Sequence, residues 1–296
     1  MDYMHKAGFV NIVGNPNVGK STLMNQLVGE KLSIATFKAQ TTRHRIMGIV
    51  NTEDTQIVFS DTPGVLKPNY KMQEMMLQFS ESALADADIL LYVTDVVEDP
   101  EKNMDFLEKV SKMSIPVILL INKIDESDQK TLGNLVTKWH GLLPNAEILP
   151  ISAKNKFGVD ILLKRVHELL PESPAFFDKD QLTDKPAKFF VSEIIREKIL
   201  RYYDKEIPYS VEVVIERFKE DDRQIHISAI IYVERSSQKG IIIGHQGMAL
   251  KKVSTEARKS LERFFDKKIF LETFVKVDKD WRNSQKELGN FGYNPE

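Results

Sequence analysis

Short apolar runs alternate with amphipathic stretches along the first 170 residues. Runs at 9–13, 45–50, 56–60, 89–94, 117–122 and 148–152 predict strands, and helical patterns lie between most of them, as at 21–28 and 159–170. Only the second and third runs are close enough in sequence to form a hairpin, around residues 51–55. Strands separated by helices predict an α/β domain with a mostly parallel six-stranded sheet, covered on both faces.

The pattern breaks at 171–186, which holds Pro171, Pro174 and Pro186, carries several charges and has no periodicity. This break predicts a first domain over 1–172, a linker over 173–187 and a second domain over 188–296. Phe176 and Phe177 predict that the linker is docked rather than free. The second domain reads as a helix from 192 to about 203, with Ser192 as its cap and Glu193 in its first turn. Strands follow at 209–218 and 224–234, with a charged turn between them at 219–223. A helical piece at 239–243, a glycine-flanked turn, a helix from 248 to about 264, a strand at 269–277 and a polar tail complete it. The order is that of a small α+β domain. No internal repeat or low-complexity segment is present.

Composition narrows the classes. The 296 residues are 42% hydrophobic and 28% charged, the profile of a soluble globular chain with room for two domains. Cysteine is absent, which excludes disulfide, zinc–thiolate and iron–sulfur chemistry and fits a reducing, cytoplasmic setting. The first eight residues lack the apolar run of a signal peptide, and no stretch approaches the roughly 18 apolar residues of a membrane span. The net charge of −2 is unevenly spread. Residues 1–175 carry 18 Lys+Arg against 22 Asp+Glu, and 176–296 carry 23 against 21. Nine basic residues face three acidic ones within 235–268, a stretch that suits a polyanion or a solvated helix face.

Gly14-Asn15-Pro16-Asn17-Val18-Gly19-Lys20-Ser21 fits G-x-x-x-x-G-K-[ST] between a predicted strand and a predicted helix. Glycines allow the backbone to curl so that successive N–H groups face phosphate oxygens, and the helix N-terminus beginning at Lys20, Ser21 and Thr22 adds its dipole. Lys20 is expected at the β and γ phosphates and Ser21 on Mg²⁺. Asn122-Lys123-Ile124-Asp125 then selects the base. A carboxylate only accepts hydrogen bonds, so Asp125 suits the adjacent N1–H and N2–H₂ of guanine and opposes the bare N1 of adenine. Asn122 is expected to tie this loop to the phosphate loop or the base, Lys123 to lie over the base, and Ser152-Ala153-Lys154 to bring the Ala153 N–H to guanine O6.

Asp61-Thr62-Pro63-Gly64 ends a predicted strand. Asp61 is expected to hold Mg²⁺ through water, and the Gly64 N–H to sense the γ-phosphate. Thr42 is the favoured hydroxyl to complete the Mg²⁺ shell, with Thr41 as the alternative. Val65 stands where many GTPases carry a water-orienting Gln, and valine cannot orient water. Intrinsic hydrolysis is therefore expected to be slow. Asn17 is a candidate K⁺ ligand that would do the work of an arginine finger, or else a simple loop residue.

In the second domain, Gly244-His245-Gln246-Gly247 follows Ile241-Ile242-Ile243 and precedes Lys251 and Lys252. A G-x-x-G turn lets a nucleic-acid backbone approach, the apolar run ending at Ile243 floors a groove for bases, and the lysines neutralise phosphates. The element order around it is that of a type II KH domain. A membrane-linked switch and a P-loop kinase are the rival classes; the G-x-x-G turn opposes the first, and the NKID and SAK segments oppose the second.

The segments GNPNVGKST, KAQTTRHRI, DTPG, NKID, SAK, SEIIREKILRYYDKEIPYSVEV and GHQGMALKK together resemble the Era family, bacterial GTPases with a C-terminal KH domain, over nearly the whole chain. A hydrophobic residue after DTPG, as at Val65, is usual in that family. The resemblance implies binding of the 3′ end of 16S ribosomal RNA through the KH domain. It also implies a late role in assembly of the 30S subunit precursor, tighter RNA binding with GTP than with GDP, and hydrolysis stimulated by RNA. A peripheral contact with the cytoplasmic membrane face and a monomeric state are further expectations.

Overall fold

A computed structural model describes residues 5–294. The chain divides into two compact units, one from residues before 70 and from 73–184, the other chiefly from 185–294.

In the first unit, β1 (Lys6–Gly14) leads through the phosphate loop into α1 (Lys20–Val28). The hairpin β2 (Ile46–Asn51) and β3 (Thr55–Asp61) follows, then α2 (Lys71–Ala85), β4 (Ile89–Asp95), α3 (Met104–Ser111) and β5 (Val117–Asn122). The last elements are α4 (Gln129–Leu142), β6 (Glu147–Pro150) and α5 (Val159–Leu169). The sheet order is β2-β3-β1-β4-β5-β6, and only β2 runs antiparallel. Every residue of β3 and β4 is buried, without alternation, as expected for central strands covered on both faces. Register aligns the strand ends: Ile12 pairs with Asp61, Gly14 with Val93, and Asp95 with Asn122. One carboxyl edge therefore carries Gly14, Asp61 and Asn122, the edge at which open α/β sheets bind ligands.

The segment read as a linker is fastened to this unit down to Asp184. Gln56, fully buried, accepts the N–H groups of Phe176 and Phe177 at 2.7 and 3.0 Å through Oε1 and donates to Phe177 O at 2.8 Å. Phe176 packs on Phe9 with ring centroids 4.9 Å apart. Farther on, Ile49 N–H donates to Leu182 O at 2.8 Å and Thr183 Oγ1 to Met47 O at 2.6 Å, which covers the open edge of β2.

The second unit runs α6 (Ala187–Tyr202), β7 (Val211–Glu220), β8 (Gln224–Val233), α7 (Ser236–Ile243), the G-x-x-G turn, α8 (Met248–Phe265) and β9 (Lys268–Val277). The sheet order is β7-β8-β9, with β8 antiparallel to β7 and parallel to β9. One face packs on the helices, with Val191, Ile195, Ile199, Ile227, Ile231, Val253 and Leu261 in the core.

Two helix starts differ from the sequence reading. Ser192 does not cap α6; Pro186 stands at its boundary and Ser192 lies inside, its hydroxyl donating to Phe189 O at 2.8 Å. Burial of Phe190 and Val191 pulls the helix start forward. Likewise α7 starts at Ser236, because Gln238 Oε1 accepts the Glu234 and Arg235 N–H groups at 3.0 Å. The tail is also not merely polar. It forms α9 (Gln285–Asn290), and Trp281, Leu288 and Tyr293 are fully buried. Tyr293 Oη donates to Glu212 Oε2 at 2.7 Å, and Phe291 meets Tyr232 at 5.3 Å, so the tail covers part of the sheet face turned away from the helices.

Candidate functional site

The phosphate loop is held in a backbone shape that other residues reject. Gly14 has φ 144°, and a Cβ there would lie 2.1 Å from Val93 O. Gly19 has φ 99°, and its Cβ would lie 2.2 Å from Asn122 Nδ2. Lys20 is buried and donates through Nζ to Gly14 O at 2.9 Å and Asn15 O at 2.8 Å. Burial lowers its pKa to about 8, partly opposed by Asp61 and Glu98. Asn17, at φ 67°, is exposed at the loop tip, whereas Asn15 and Val18 are buried behind it.

Ser21 Oγ donates to Asp61 Oδ2 at 2.8 Å and lies 2.8 Å from Thr42 Oγ1, and Thr42 donates to the same carboxylate oxygen at 3.3 Å. Thr41 turns the other way, donating to Lys38 O at 2.5 Å. The two threonine hydroxyls therefore face different partners. Burial pushes the Asp61 carboxyl above the usual carboxylate range, and Lys20, Ser21 and Thr42 pull against that.

The segment after Asp61 is stitched to the phosphate loop. Thr62 donates to Ile12 O at 2.8 Å, and Val65 N–H to Gly14 O at 3.1 Å. A Cβ on Gly64 would sit 2.7 Å from the Pro16 backbone. Val65 is buried in the core, which accounts for an apolar residue there. Sequence reading missed Asn103. Its amide donates to Val65 O at 3.2 Å and to Asn15 Oδ1, although it occupies the N-cap of α3 and would ordinarily cap that helix.

At the base end, Asn122 is buried and donates to Val18 O at 2.8 Å while accepting the Ala153 N–H at 2.9 Å. It joins three loops within the protein. The Ala153 N–H expected at guanine O6 donates to Asn122 Oδ1 here, and beyond the end of β6 Ile151 N–H donates to Ile121 O at 2.9 Å. Lys123, at φ 62°, pairs with Asp95 at 2.5 Å, a partner no motif announced. Ser152 donates to Asp125 Oδ1 at 2.6 Å, which aims that carboxylate. A cleft of about 370 Å³ gathers Asn17, Gly19, Lys20, Ser21, Thr22, Thr42, Gly64, Asn122, Lys123, Asp125, Ala153 and Lys154. Gly14, Asn15, Val18, Asp61 and Ser152 support it from behind.

In the second unit, Gly244 (φ 71°, ψ 178°) occupies a region almost reserved for glycine, and its Cβ would meet Ala249 Cβ at 2.6 Å. Gly247 has φ 74° and nothing within 4 Å of its Cβ position. His245 and Gln246 are exposed at the turn. Lys251 is exposed, and Lys252 Nζ lies 4.5 Å over the Tyr202 ring. A groove of about 560 Å³ is lined by Lys239, Ile243 and Leu250 on the helix side, by Thr273, Phe274, Val275 and Lys276 on β9, and by Glu216 of β7. Of the residues named from sequence, Ile243 lines it and the turn stands outside. The β9 residues were missed because strand pairing, not local sequence, brings them there.

Fold and site define a P-loop GTPase joined to a KH domain. Residues 9–123 match the family described as 50S ribosome-binding GTPase, and residues 206–282 match the KH domain. The chain is 44% identical to GTPase Era of Clostridium kluyveri over 292 residues, 98% of this chain and 100% of that protein. It is 46% identical to GTPase Era of Geobacter sp. (strain M21) over 290 residues, 97% and 98% of the two chains. The chain belongs to the Era family of GTPases. A crystal structure of Era in complex with MgGDPNP and nucleotides 1506–1542 of 16S ribosomal RNA matches with a TM-score of 0.93 at 37% identity, covering 98% of this chain and 99% of that one. Aquifex aeolicus Era bound to GDP·AlF₄⁻ matches equally well at 38% identity, covering 97% and 99%.

Proposed function

We propose that this GTPase is a nucleotide-controlled RNA-binding switch that holds the 3′ region of 16S ribosomal RNA and assists assembly of the 30S precursor. The observation that carries the reading is the pairing, in one chain, of a complete guanine-nucleotide cleft with a KH groove. The Era relative that this chain matches end to end holds both MgGDPNP and a 16S fragment.

In this reading Lys20 and the loop N–H groups from Asn17 to Thr22 take the phosphates, and Asp125 takes guanine. Lys123 and Lys154 flank the base. Mg²⁺ suits the donor set: two hydroxyls, Ser21 and Thr42, converge with the Asp61 carboxylate, all hard oxygens. Asp61 Oδ1 is buried without a protein hydrogen bond, which leaves it to accept from a metal-bound water. The ion neutralises charge on the phosphates. Ser21 and Thr42 orient it, Gly64 addresses the γ-phosphate, and Val65 fills the core rather than touching water. Asn17, exposed at the cleft mouth, is the candidate to present its carbonyl to K⁺.

RNA runs past Gly244 and Gly247 into the groove over Ile243 and Leu250, with Lys239, Lys251 and Lys252 beside its phosphates. Among the described residues no helix is long and apolar enough to cross a membrane. The basic stretch at 235–268 suits an anionic membrane surface as well as RNA, and the G-x-x-G turn within it favours RNA. The test is binding of 16S nucleotides 1506–1542 with GDP and with a non-hydrolysable GTP analogue at two salt concentrations. Tighter, salt-sensitive binding with the analogue supports the switch. Absence of binding in both states removes the RNA half of the reading and leaves the GTPase.

A further inference from the structure

Asp95 is the last residue of β4 and belongs to none of the guanine-nucleotide motifs. Strand register sets it opposite Asn122 of β5, one residue before Lys123. Its side chain is 8% exposed, and both carboxylate oxygens are in use. Oδ2 accepts from Lys123 Nζ at 2.5 Å. Oδ1 accepts the Val97 and Glu98 N–H groups at 3.0 and 2.9 Å, closing an Asx turn. One buried carboxylate therefore holds two different loops of the nucleotide site.

Each contact constrains a part that is otherwise free to move. Lys123 stands at φ 62°, a backbone region that a residue with a Cβ adopts at a cost. Its side chain is a long stem with several rotatable bonds, and the Asp95 carboxylate fixes the far end of that stem. On the other side, the Asx turn opens the loop 96–103. Thr94 Oγ1 donates to Glu98 Oε2 at 3.0 Å, which fastens the same turn to β4. The loop ends at Asn103, whose amide reaches Asn15 and the Val65 carbonyl.

We propose that Asp95 is a positioning residue for both ends of the bound nucleotide. Through Oδ2 it holds Lys123 along the base, and through Oδ1 it sets the loop that delivers Asn103 to the Gly64–Val65 turn. The inference rests on the reading that Lys123 flanks guanine. An isosteric amide separates the two tasks. Asp95→Asn keeps an Oδ1 that accepts the Val97 and Glu98 N–H groups, but it turns an NH₂ toward the Lys123 ammonium, donor against donor. Asp95→Ala removes both contacts.

The test measures affinity for GDP and for IDP, and kcat and KM for GTP, in the full chain with Mg²⁺. A thermal melt accompanies each variant. Asp95→Asn should weaken GDP binding roughly ten-fold, with the loss appearing in KM for GTP and not in kcat. The preference for GDP over IDP should stay the same, because the guanine N2 amino group that IDP lacks belongs to Asp125 and not to Lys123. Asp95→Ala should show the same loss of affinity and a further few-fold fall in kcat. In a Lys123→Ala background, Asp95→Asn should cost no additional GDP affinity.

Unchanged GDP affinity in Asp95→Asn overturns the proposal. So does a fall for GDP larger than that for IDP, since the whole loop with Asp125 would then have shifted. A further loss on the Lys123→Ala background overturns it too, because Asp95 would not be acting through that lysine. A kcat in folded Asp95→Ala equal to that of Asp95→Asn removes the role of Oδ1. If Lys123→Ala alone keeps normal GDP affinity, the reading of Lys123 fails first and the role of Oδ2 with it.

Discussion

Glycines shape both loops, but they are confined differently. Gly14 and Gly19 press against Val93 O and Asn122 Nδ2, at 2.1 and 2.2 Å from where a Cβ would be, so the phosphate loop needs them for its own packing. Gly244 is similar, at 2.6 Å from Ala249 Cβ, while Gly247 faces open space. The nucleotide site is an interlocked piece of the core: Asn122, Thr62 and Val65 tie its loops to one another. The proposed RNA face is defined by what the core leaves outside. Changes in the first site should disturb binding and architecture together, and changes in the second should separate them.

The largest effect expected is at Lys20. Lys20→Ala removes the only buried cation among the cleft residues, and nucleotide affinity should fall by roughly a hundred-fold or more. Normal GTP affinity in that variant, measured by titration calorimetry, would overturn the phosphate-site assignment. The same lysine predicts a pH dependence. Its pKa in the nucleotide-free protein is about 8, and a bound phosphate raises it. Above that pH the complex holds a proton that the free protein has lost. GDP affinity should therefore be flat below about pH 7 and approach a ten-fold fall per pH unit by about pH 9. Affinity constant across that window would mean that Lys20 stays charged despite its burial.

Next is Asp125→Asn. The amide can donate to the extra oxygen of xanthine but no longer accepts two bonds from guanine, so preference should move toward xanthosine nucleotides by on the order of a hundred-fold. Unchanged base selectivity would refute the role of Asp125. Ser152, which aims that carboxylate at 2.6 Å, should weaken guanine-nucleotide binding by less when replaced by alanine, with no gain for xanthosine nucleotides.

The glycine contrast gives the sharpest separation. Asp tolerates left-handed backbone, so Gly247→Asp should fold normally and keep RNA-independent GTP hydrolysis, while RNA binding weakens roughly ten-fold through charge repulsion. Gly244→Asp, at ψ 178° and against Ala249, should lower the melting temperature of the second unit as well. If both variants melt like the parent, the two glycines are not confined differently and the comparison fails.

The same contrast explains what could be read from the chain beforehand. Contiguous motifs at strand ends gave the six-stranded sheet, its single antiparallel pair and the cleft residues, because a phosphate loop is local in sequence. The KH element order was legible for the same reason. The groove wall at Thr273–Lys276 was not, since only the parallel pairing of β8 with β9 brings it beside Ile243 and Leu250. The tail read as polar because its three buried anchors, Trp281, Leu288 and Tyr293, are spaced without helical or strand periodicity. The capping error at Ser192 arose from taking a favoured cap residue at face value when Pro186 and buried Phe190 set the helix start.

Asn103 offers the finest test, because it belongs to the interlocked site yet lies outside every motif. As the residue preceding α3 it makes no side-chain cap; its amide instead spans Asn15 of the phosphate loop and the Val65 carbonyl. Val65 is held from its other side by Gly14 O. With no glutamine after Gly64, the backbone at Gly64–Val65 must be positioned by such contacts. Asn103→Ser gives the helix a proper cap, so stability should hold or rise by up to about 1 kcal/mol. Serine is too short to reach Asn15 and Val65 together, so kcat for GTP should fall a few-fold while GDP affinity stays the same. A matched loss of melting temperature and activity would reduce Asn103 to a structural residue. An unchanged kcat would mean that the Gly14 contact alone holds Val65 in place.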